Sequence, residues 1–555
     1  MSLKITYGAF ALGAKDHLTI DALEKLDFID LNELKRNDLR VGNYANPCEQ
    51  YQTLLDGSML VLPEDKKSID LGYWSEKTAD EDGVFWEGQY QSAVGIYLTL
   101  DEFFSSPGIT ITFDTDNNIY PTKVEVIYYQ STDEYEETLS EKTFTPDSPV
   151  FFFAQPVELY NVVELNFIGL NMPHNRLRIR SIDFGFNRVF TAEELKKCSV
   201  IQQMDTISET LPISTCDFTL NIKDESLPIF QEKQPIRTYF NDKLISKTFI
   251  EKYTRKTKTD WQVSTEDYFS LLDDVTFMGD IYNNKNVEEL IGEILTPHNI
   301  PFTISKNLRS MTVTGHIPIC SGREALQRVC FACGAVASTA NSENVDIYEL
   351  SEEIKTSVPL SRIKQGASFD RLDRITEMQL TAHSFIPTDE VKTLYEAEKK
   401  GSGENIFIKF SEPYYNLSIT EDGKSKIVAS SANYAIINAR ENCVLTGKKY
   451  EHKETVTTMK NPFVLSGETP KVKSITNQYL ISADNVDKIL KLCYNYYTKD
   501  LKSKISVFER KQDTPAFVGD NIEFATEYLD TKQGRIEEQR FNLNGRIILK
   551  ECEIV

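Results

Sequence analysis

Histidine and tryptophan are scarce in this chain, six and three residues among 555. The histidines are His17, His174, His298, His316, His383 and His452, and none opens an H-E-x-x-H zinc-hydrolase pattern. No G-x-S-x-G elbow occurs, so the usual serine-hydrolase signature is missing as well. The nine cysteines, Cys48, Cys198, Cys216, Cys320, Cys330, Cys333, Cys443, Cys493 and Cys552, are scattered and odd in number. Such a set is no disulfide framework and reads as small buried apolar residues in a reducing compartment. No apolar run approaches the roughly 18 residues of a membrane span. Positive charge is also in deficit: 61 Lys and Arg face 84 Asp and Glu, for a net charge of −23. Nucleic-acid binders present basic footprints, so sequence-specific nucleic-acid binding is not expected. The local cluster Lys252, Arg255, Lys256 and Lys258 alternates with threonine in a strand-like run and reads as a solvated face. Met1 to Tyr7 lacks a charged segment followed by an apolar core, so no secretory signal is expected and synthesis in the cytoplasm is.

What is present is ordinary globular material, 40% hydrophobic and 26% charged. At roughly 150 residues per domain, the length predicts three or four domains. Residues 1–75 are mixed, with Asp21 to Leu34 expected as a short helix and Asp56-Gly57 as a turn. Over 76–190 the pattern is strongly β. Ile109, Ile111 and Phe113 alternate with polar residues, and Val124, Val126 and Tyr128 do the same. So do Val163, Leu165 and Phe167, then Leu177, Ile179 and Ile182, with turn residues between the runs. Period two places each set on one face of a sheet, which predicts a β-sandwich.

Residues 191–273 alternate again (Cys216 to Ile222, Ile236 to Phe240, Lys243 to Tyr253, Asp260 to Thr265) and predict a small antiparallel barrel. Residues 274–356 bring helices and form an α/β unit. Val287, Leu290, Ile291, Ile294 and Leu295 recur at helical spacing. Ser321-Gly-Arg-Glu324 reads as a capping box opening a helix whose stripe runs through Ala325, Leu326, Val329, Cys330 and Cys333. Residues 357–555 return to strands, including Ile375 to His383, Ile406 to Phe410 and Tyr434 to Asn438. A helix over 485–497, capped by Ser482 or Asp484, follows. Residues 388–404 read as an exposed loop, and Val518-Gly519-Asp520 as a tight turn.

Three patterns invite a chemical reading and each has a plainer one. Cys330-Phe-Ala-Cys333 is a C-x-x-C without a second ligand pair, late in an apolar stripe, and reads as core. Asp114, Asp116, Asn118 and Glu125 fall at positions of a calcium loop, but Ile119 occupies the place of the turn glycine, so a surface turn is expected. Gly401-Ser402-Gly403 is too short to cradle a phosphate and reads as a linker. No catalytic residue, cofactor or metal ligand is assigned on these grounds. Trp74, Trp86, Tyr90, Tyr128 and Tyr129 lie in or beside the sandwich. Of these, Trp74, Trp86 and Tyr90 are the candidate contacts for a sugar ring, with burial in the core as the commoner fate.

From about 191 to the end, the chain resembles the tail hub family of tailed phages and related contractile injection machines. The order matches: small barrel, α/β insertion, second barrel, helix, closing strands. Leu211-Pro-Ile-Ser-Thr-Cys-Asp-Phe-Thr-Leu220 resembles the family's early strand, and Phe249 to Leu272 its barrel strands leading into a short helix. Arg323 to Val336 resembles the helix of the insertion. Ser430 to Ala439, Val518 to Ile522, Gly534-Arg-Ile536 and Gly545 to Lys550 resemble second-barrel elements. Residues 76–190 are similar to galactose-binding-like sandwiches. The fold class expected is therefore mainly β, a sandwich followed by two small hub-type barrels with an α/β insertion and a late helix. The resemblance implies a non-enzymatic structural tail hub or baseplate subunit at the virion tail tip, made in the bacterial host cytoplasm. It implies a homotrimer whose barrels form a ring between the tail tube and the tip. Its partners would be a tail tube or distal tail protein, the tape measure, and tip or spike proteins. The alternative is a carbohydrate-binding receptor-recognition component acting through the 76–190 sandwich on a surface glycan.

Overall fold

A computed structural model describes residues 95–132, 135–172, 175–191, 193–222, 230–240, 243–372, 375–397, 405–420, 425–439, 443–463, 471–499, 501–507, 516–527, 531–544 and 547–555, with shorter stretches at 3–11, 14, 17–22, 44–45, 68–74 and 469. The chain is mainly β with small helical parts, and it forms two compact units. One unit comprises Thr6–Val189 and Ser226–Gln234. The other comprises Met1–Ile5, Phe190–Glu225 and Pro235–Val555.

The first unit is built on a six-stranded sheet. Ser181–Asp183, Gly95–Thr112, Val150–Leu170, Pro121–Ser131 and Glu136–Phe144 lie side by side, and Leu18–Ala22 also pairs with Gly95–Thr112. Tyr44–Ala45, Ser68–Trp74 and Asn175–Ile179 make a second, three-stranded sheet. Every inward residue read from the alternation is buried: Ile109, Ile111, Phe113, Val124, Val126, Tyr128, Val163, Leu165, Phe167, Leu177, Ile179 and Ile182. They share one hydrophobic cluster, because a strand that alternates apolar and polar residues can only bury one face. Within it the Tyr128 and Tyr160 rings meet edge to face at 4.8 Å. Tyr160 donates its hydroxyl proton to Ser106. The helix expected over Asp21 to Leu34 is corrected at its start, where Asp21 and Ala22 end a strand paired with Tyr97 and Ile96. Residues 23–34 and the Asp56-Gly57 turn lie outside the described residues.

The second unit carries one long sheet. Pro235–Phe240, Lys243–Arg255, Asp260–Glu266, Thr215–Asn221 and Leu195–Gln203 follow one another in it. Leu195–Gln203 then pairs with Lys532–Asn544, from Lys197 opposite Asn544 to Gln203 opposite Glu538, which carries the sheet on into Ile547–Ile554, Leu501–Val507 and Ser368–Arg371. At this seam two buried glutamines lie opposite each other. Gln539 donates to Gln202, and Gln202 donates to the Ile245 carbonyl. A polar pair in a dry sheet is tolerated because each amide nitrogen finds an acceptor, although Gln539 Oε1 is buried without a partner among the described residues.

Helices Val287–Leu295, Gly322–Cys333 and Val486–Tyr497 pack into one core with the short strands around them. Asn286 caps the first, accepting from the Glu289 amide. Ser321 caps the second, accepting from the Glu324 amide, but the Glu324 carboxylate turns forward to Arg328 at 2.5 Å. Gly334 closes that helix in the left-handed conformation at φ 68°, which glycine adopts without the steric cost of a Cβ. The third helix starts differently from expectation. Neither Ser482 nor Asp484 caps it. Asn485 precedes it, and its amide side chain donates to the carbonyls of Ala332 and Leu480, docking the helix onto Gly322–Cys333.

Four strands between residues 377 and 475 form a long arm. Glu377–Ala397 and Cys443–Lys460 pair antiparallel along almost their whole length, flanked by Tyr414–Ile419 and Val472–Ile475. The loop expected at 388–404 is thus corrected. Residues 388–397 continue the strand past a bulge between Pro387 and Val391, with Lys448 reaching Asp389 at 2.7 Å. The run is charged and lysine-rich, as loops are, yet Val391, Thr393 and Tyr395 keep period two within it. Residues 398–404, including Gly401-Ser402-Gly403, lie outside the described residues.

Candidate functional site

Beside the arm stands a three-stranded sheet in the order Asn405–Lys409, Tyr434–Asn438, Lys426–Ser430. Ile408, Ala435 and Ile437 point inward and are buried with Tyr414 and Leu445. The alternate positions face out. Phe407 lies opposite Ile436, and its ring stacks on Tyr434 at 5.5 Å. Val428 stands at the bulge between Ile427 and Ala429. Phe407 and Val428 are each 49% exposed. Among the described residues the two outer strands, Asn405–Lys409 and Lys426–Ser430, each have one strand partner. Their free sides present backbone donors and acceptors that another strand or chain can pair with.

The base of the arm gathers three histidines with aromatic neighbours. His316 sits on Thr312–His316, and its Nε2 lies 2.6 Å from Asn433 Oδ1. Asn433 donates through Nδ2 to the carbonyls of Met278 and Ile317, so its oxygen is left to accept and the His316 proton is on Nε2. Burial pushes the His316 pKa down, against the opposing pull of the Asn433 bond. Phe385 and Tyr479 line the same region, and the Arg328 guanidinium lies 5.7 Å from the Tyr479 ring. His383 and His452 project from the paired arm strands, with His383 Nδ1 2.9 Å from His452 Nε2. Glu454 stands opposite His383 in the register, two residues beyond His452 on the same strand. Burial, then the neighbouring His452, lowers the His383 pKa. The His383 side chain is fully buried, whereas those of His452 and Glu454 are 34% and 58% exposed.

Elsewhere the buried groups serve the fold. Cys330 and Cys333 are both buried in the helical core. Burial raises both thiols, that of Cys333 to about 12, so neither offers a thiolate near neutral pH. Asp114 accepts from the amides of Asp116 and Asn117, while Glu125 lies on a strand and accepts from Asn166. That is an Asx turn followed by a sheet position. The basic residues Lys252, Arg255, Lys256 and Lys258 are exposed on or beside the strand Lys243–Arg255, as a solvated face should be.

A cleft of about 770 Å³ is lined by Glu349, Glu352, Lys488, Lys499 and Arg535 among others. Its charges are largely paired within the wall: Arg535 with Glu352 at 3.0 Å and Lys488 with Glu349 at 3.0 Å. Of the candidate sugar contacts, Trp74 ends the strand Ser68–Trp74, with its side chain outside the described structure. Trp86 and Tyr90 lie outside the described residues. Tyr128 is buried in the sandwich core, and Tyr129 donates its hydroxyl to Glu164 at 2.6 Å.

No protein-family model matches the chain, and no curated protein matches it. Solved structures do. A 43 kDa tail protein of prophage MuSo2 from Shewanella oneidensis is similar at 11% identity and a TM-score of 0.43, over 66% of this chain and 95% of that one. A tail protein from Neisseria meningitidis MC58 is similar at 9% identity and a TM-score of 0.44, over 66% and 93%. The E. coli c3393 protein, a component of the type VI secretion system, is similar at 8% identity and a TM-score of 0.33, over 65% and 73%.

Proposed function

We propose that the chain is a structural tail hub or baseplate subunit that acts by assembly rather than by chemistry. In this reading three copies form a ring that joins a tail tube, through a tube or distal tail protein and the tape measure, to tip or spike proteins. The observation that carries it is the sheet of Asn405–Lys409, Tyr434–Asn438 and Lys426–Ser430, whose two outer strands each have one strand partner among the described residues and whose outward face carries Phe407 and Val428. The occupant proposed for that face is a second copy of this chain. A homo-oligomer ring closes by placing the same surface in the same contact on every subunit. Strand edges and exposed aromatic residues are what such contacts bury. The order of elements from residue 191 onward, and the short sequences that resemble the tail hub family, support the same reading. So does the net charge of −23, since an acidic channel removes the counterion release that would hold DNA. The 76–190 sandwich, as a galactose-binding-like module, would decorate the ring's edge.

Native mass spectrometry of the purified chain tests the contact. The expected species is a trimer, converted to monomer by Phe407→Ser with Val428→Ser while the melting temperature stays within a few degrees. A wild-type monomer at micromolar concentration, or a trimer indifferent to both substitutions, would sink this interface.

A further inference from the structure

The pair of histidines at the base of the arm carries more than packing. His383 Nδ1, His452 Nε2 and a carboxylate oxygen of Glu454 all lie within 4.8 Å of one another. Their separations are 2.9 Å between the two nitrogens, 3.8 Å from His383 to Glu454 Oε1 and 3.9 Å from His452 to the same oxygen. Donor atoms bound tetrahedrally at about 2.0–2.1 Å from a zinc ion lie roughly 3.3 Å apart. The three observed separations bracket that value, so side-chain shifts of a few tenths of an ångström close the set.

We propose that His383, His452 and Glu454 form a binding site for one divalent transition-metal ion of the zinc class. The donor set is two imidazole nitrogens and one carboxylate oxygen. That set suits zinc and its first-row neighbours, whereas calcium and magnesium take oxygen ligands.

The backbone prepares the site. Antiparallel register puts His383 opposite Glu454, and period two puts His452 on the same face of the same strand as Glu454. Both strands are held by the ladder on either side, so the three Cα positions are fixed before any ion arrives. The rings are held as well. Phe385 stacks flat on His452 at 4.6 Å and 3°, and Tyr479 meets His383 edge to face at 4.9 Å. His452 and Glu454 are partly exposed, which leaves an entry path and room for a fourth ligand from water. A bound ion would cross-link the two arm strands where they meet the helical core.

The test uses the full chain, freed of metal by a chelator and titrated with Zn²⁺ alone by calorimetry. Co²⁺ serves as a spectroscopic stand-in. One equivalent of Zn²⁺ is expected to bind and to raise the melting temperature, and Co²⁺ should give the visible bands of a low-coordinate nitrogen and oxygen site. His452→Ala and Glu454→Gln should each weaken Zn²⁺ binding at least about tenfold, as loss of one of three ligands requires. Both side chains are partly exposed, so the metal-free variants should melt with the wild type, which separates lost binding from lost folding. Millimolar Mg²⁺ or Ca²⁺ should not compete. Absence of Zn²⁺ binding to the wild-type chain would leave a hydrogen-bonded imidazole pair and overturn the proposal. Binding equally tight in both variants would place the ion on other groups and overturn it too.

Discussion

At Asp267 a single carboxylate holds three segments together. One oxygen accepts from the Phe269 amide and the other from the Ser214 amide and the Thr339 hydroxyl. Burial nevertheless dominates and raises its pKa from 3.8 to about 6. The folded chain therefore holds a proton between those values that the unfolded chain has lost, and stability from this group falls as pH rises through about 6. The stability gap between the wild-type chain and Asp267→Asn should shrink by up to about 3 kcal/mol from pH 3.8 to above pH 6. Denaturant unfolding across that range would show it, and a pH-independent gap would refute it. The buried thiols give a second residue-scale prediction. Native protein at pH 8 should leave Cys330 and Cys333 unalkylated, and modification should begin only with unfolding. Both cysteines were legible in the sequence as core, because they continue an apolar stripe. The Asp267 partners were not, since Ser214, Asp267 and Thr339 are brought together only by the fold. The same holds for His383 and His452, 69 residues apart in sequence. Only His-x-Glu at 452–454 on an alternating run offered a hint, and it needs the opposite strand to mean anything.

Among elements, legibility followed periodicity. The sandwich strands and the helix Val287–Leu295 were readable because one face of each is apolar at the right spacing. The strand 388–397 is hard to read because its run is charged and its register shifts twice, although Leu394 and Tyr395 pack against the cluster around Ile408 and Leu445. The cap of the late helix was misplaced because Asn485 is committed to carbonyls of residues 332 and 480, and sequence shows only near neighbours. Close approach of backbones is also invisible in sequence. Gly315, at φ 149°, lies where the chain at Tyr479 crosses, and a Cβ there would sit 2.2 Å from the Tyr479 carbonyl oxygen. Gly315→Ala should cost about 2–4 kcal/mol in denaturant unfolding, since either the backbone or the crossing must move. An effect below about 0.5 kcal/mol would mean that the crossing yields freely.

For the whole molecule, the long sheet makes the C-terminal strands partners of the early ones, with Lys532–Asn544 lying beside Leu195–Gln203. Period two predicts that these segments are strands, but pairing across more than 300 residues is set by which edges remain free after local hairpins form. The proposed ring is built on the face at Phe407 and on the edges beside it, each with one strand partner among the described residues. Immunogold labelling of intact particles from the source strain tests the central claim most directly. Gold confined to one end of the tail, at the tip, is the predicted result. Gold along the whole tube, or on no particle at all, would contradict a structural role at the tail tip.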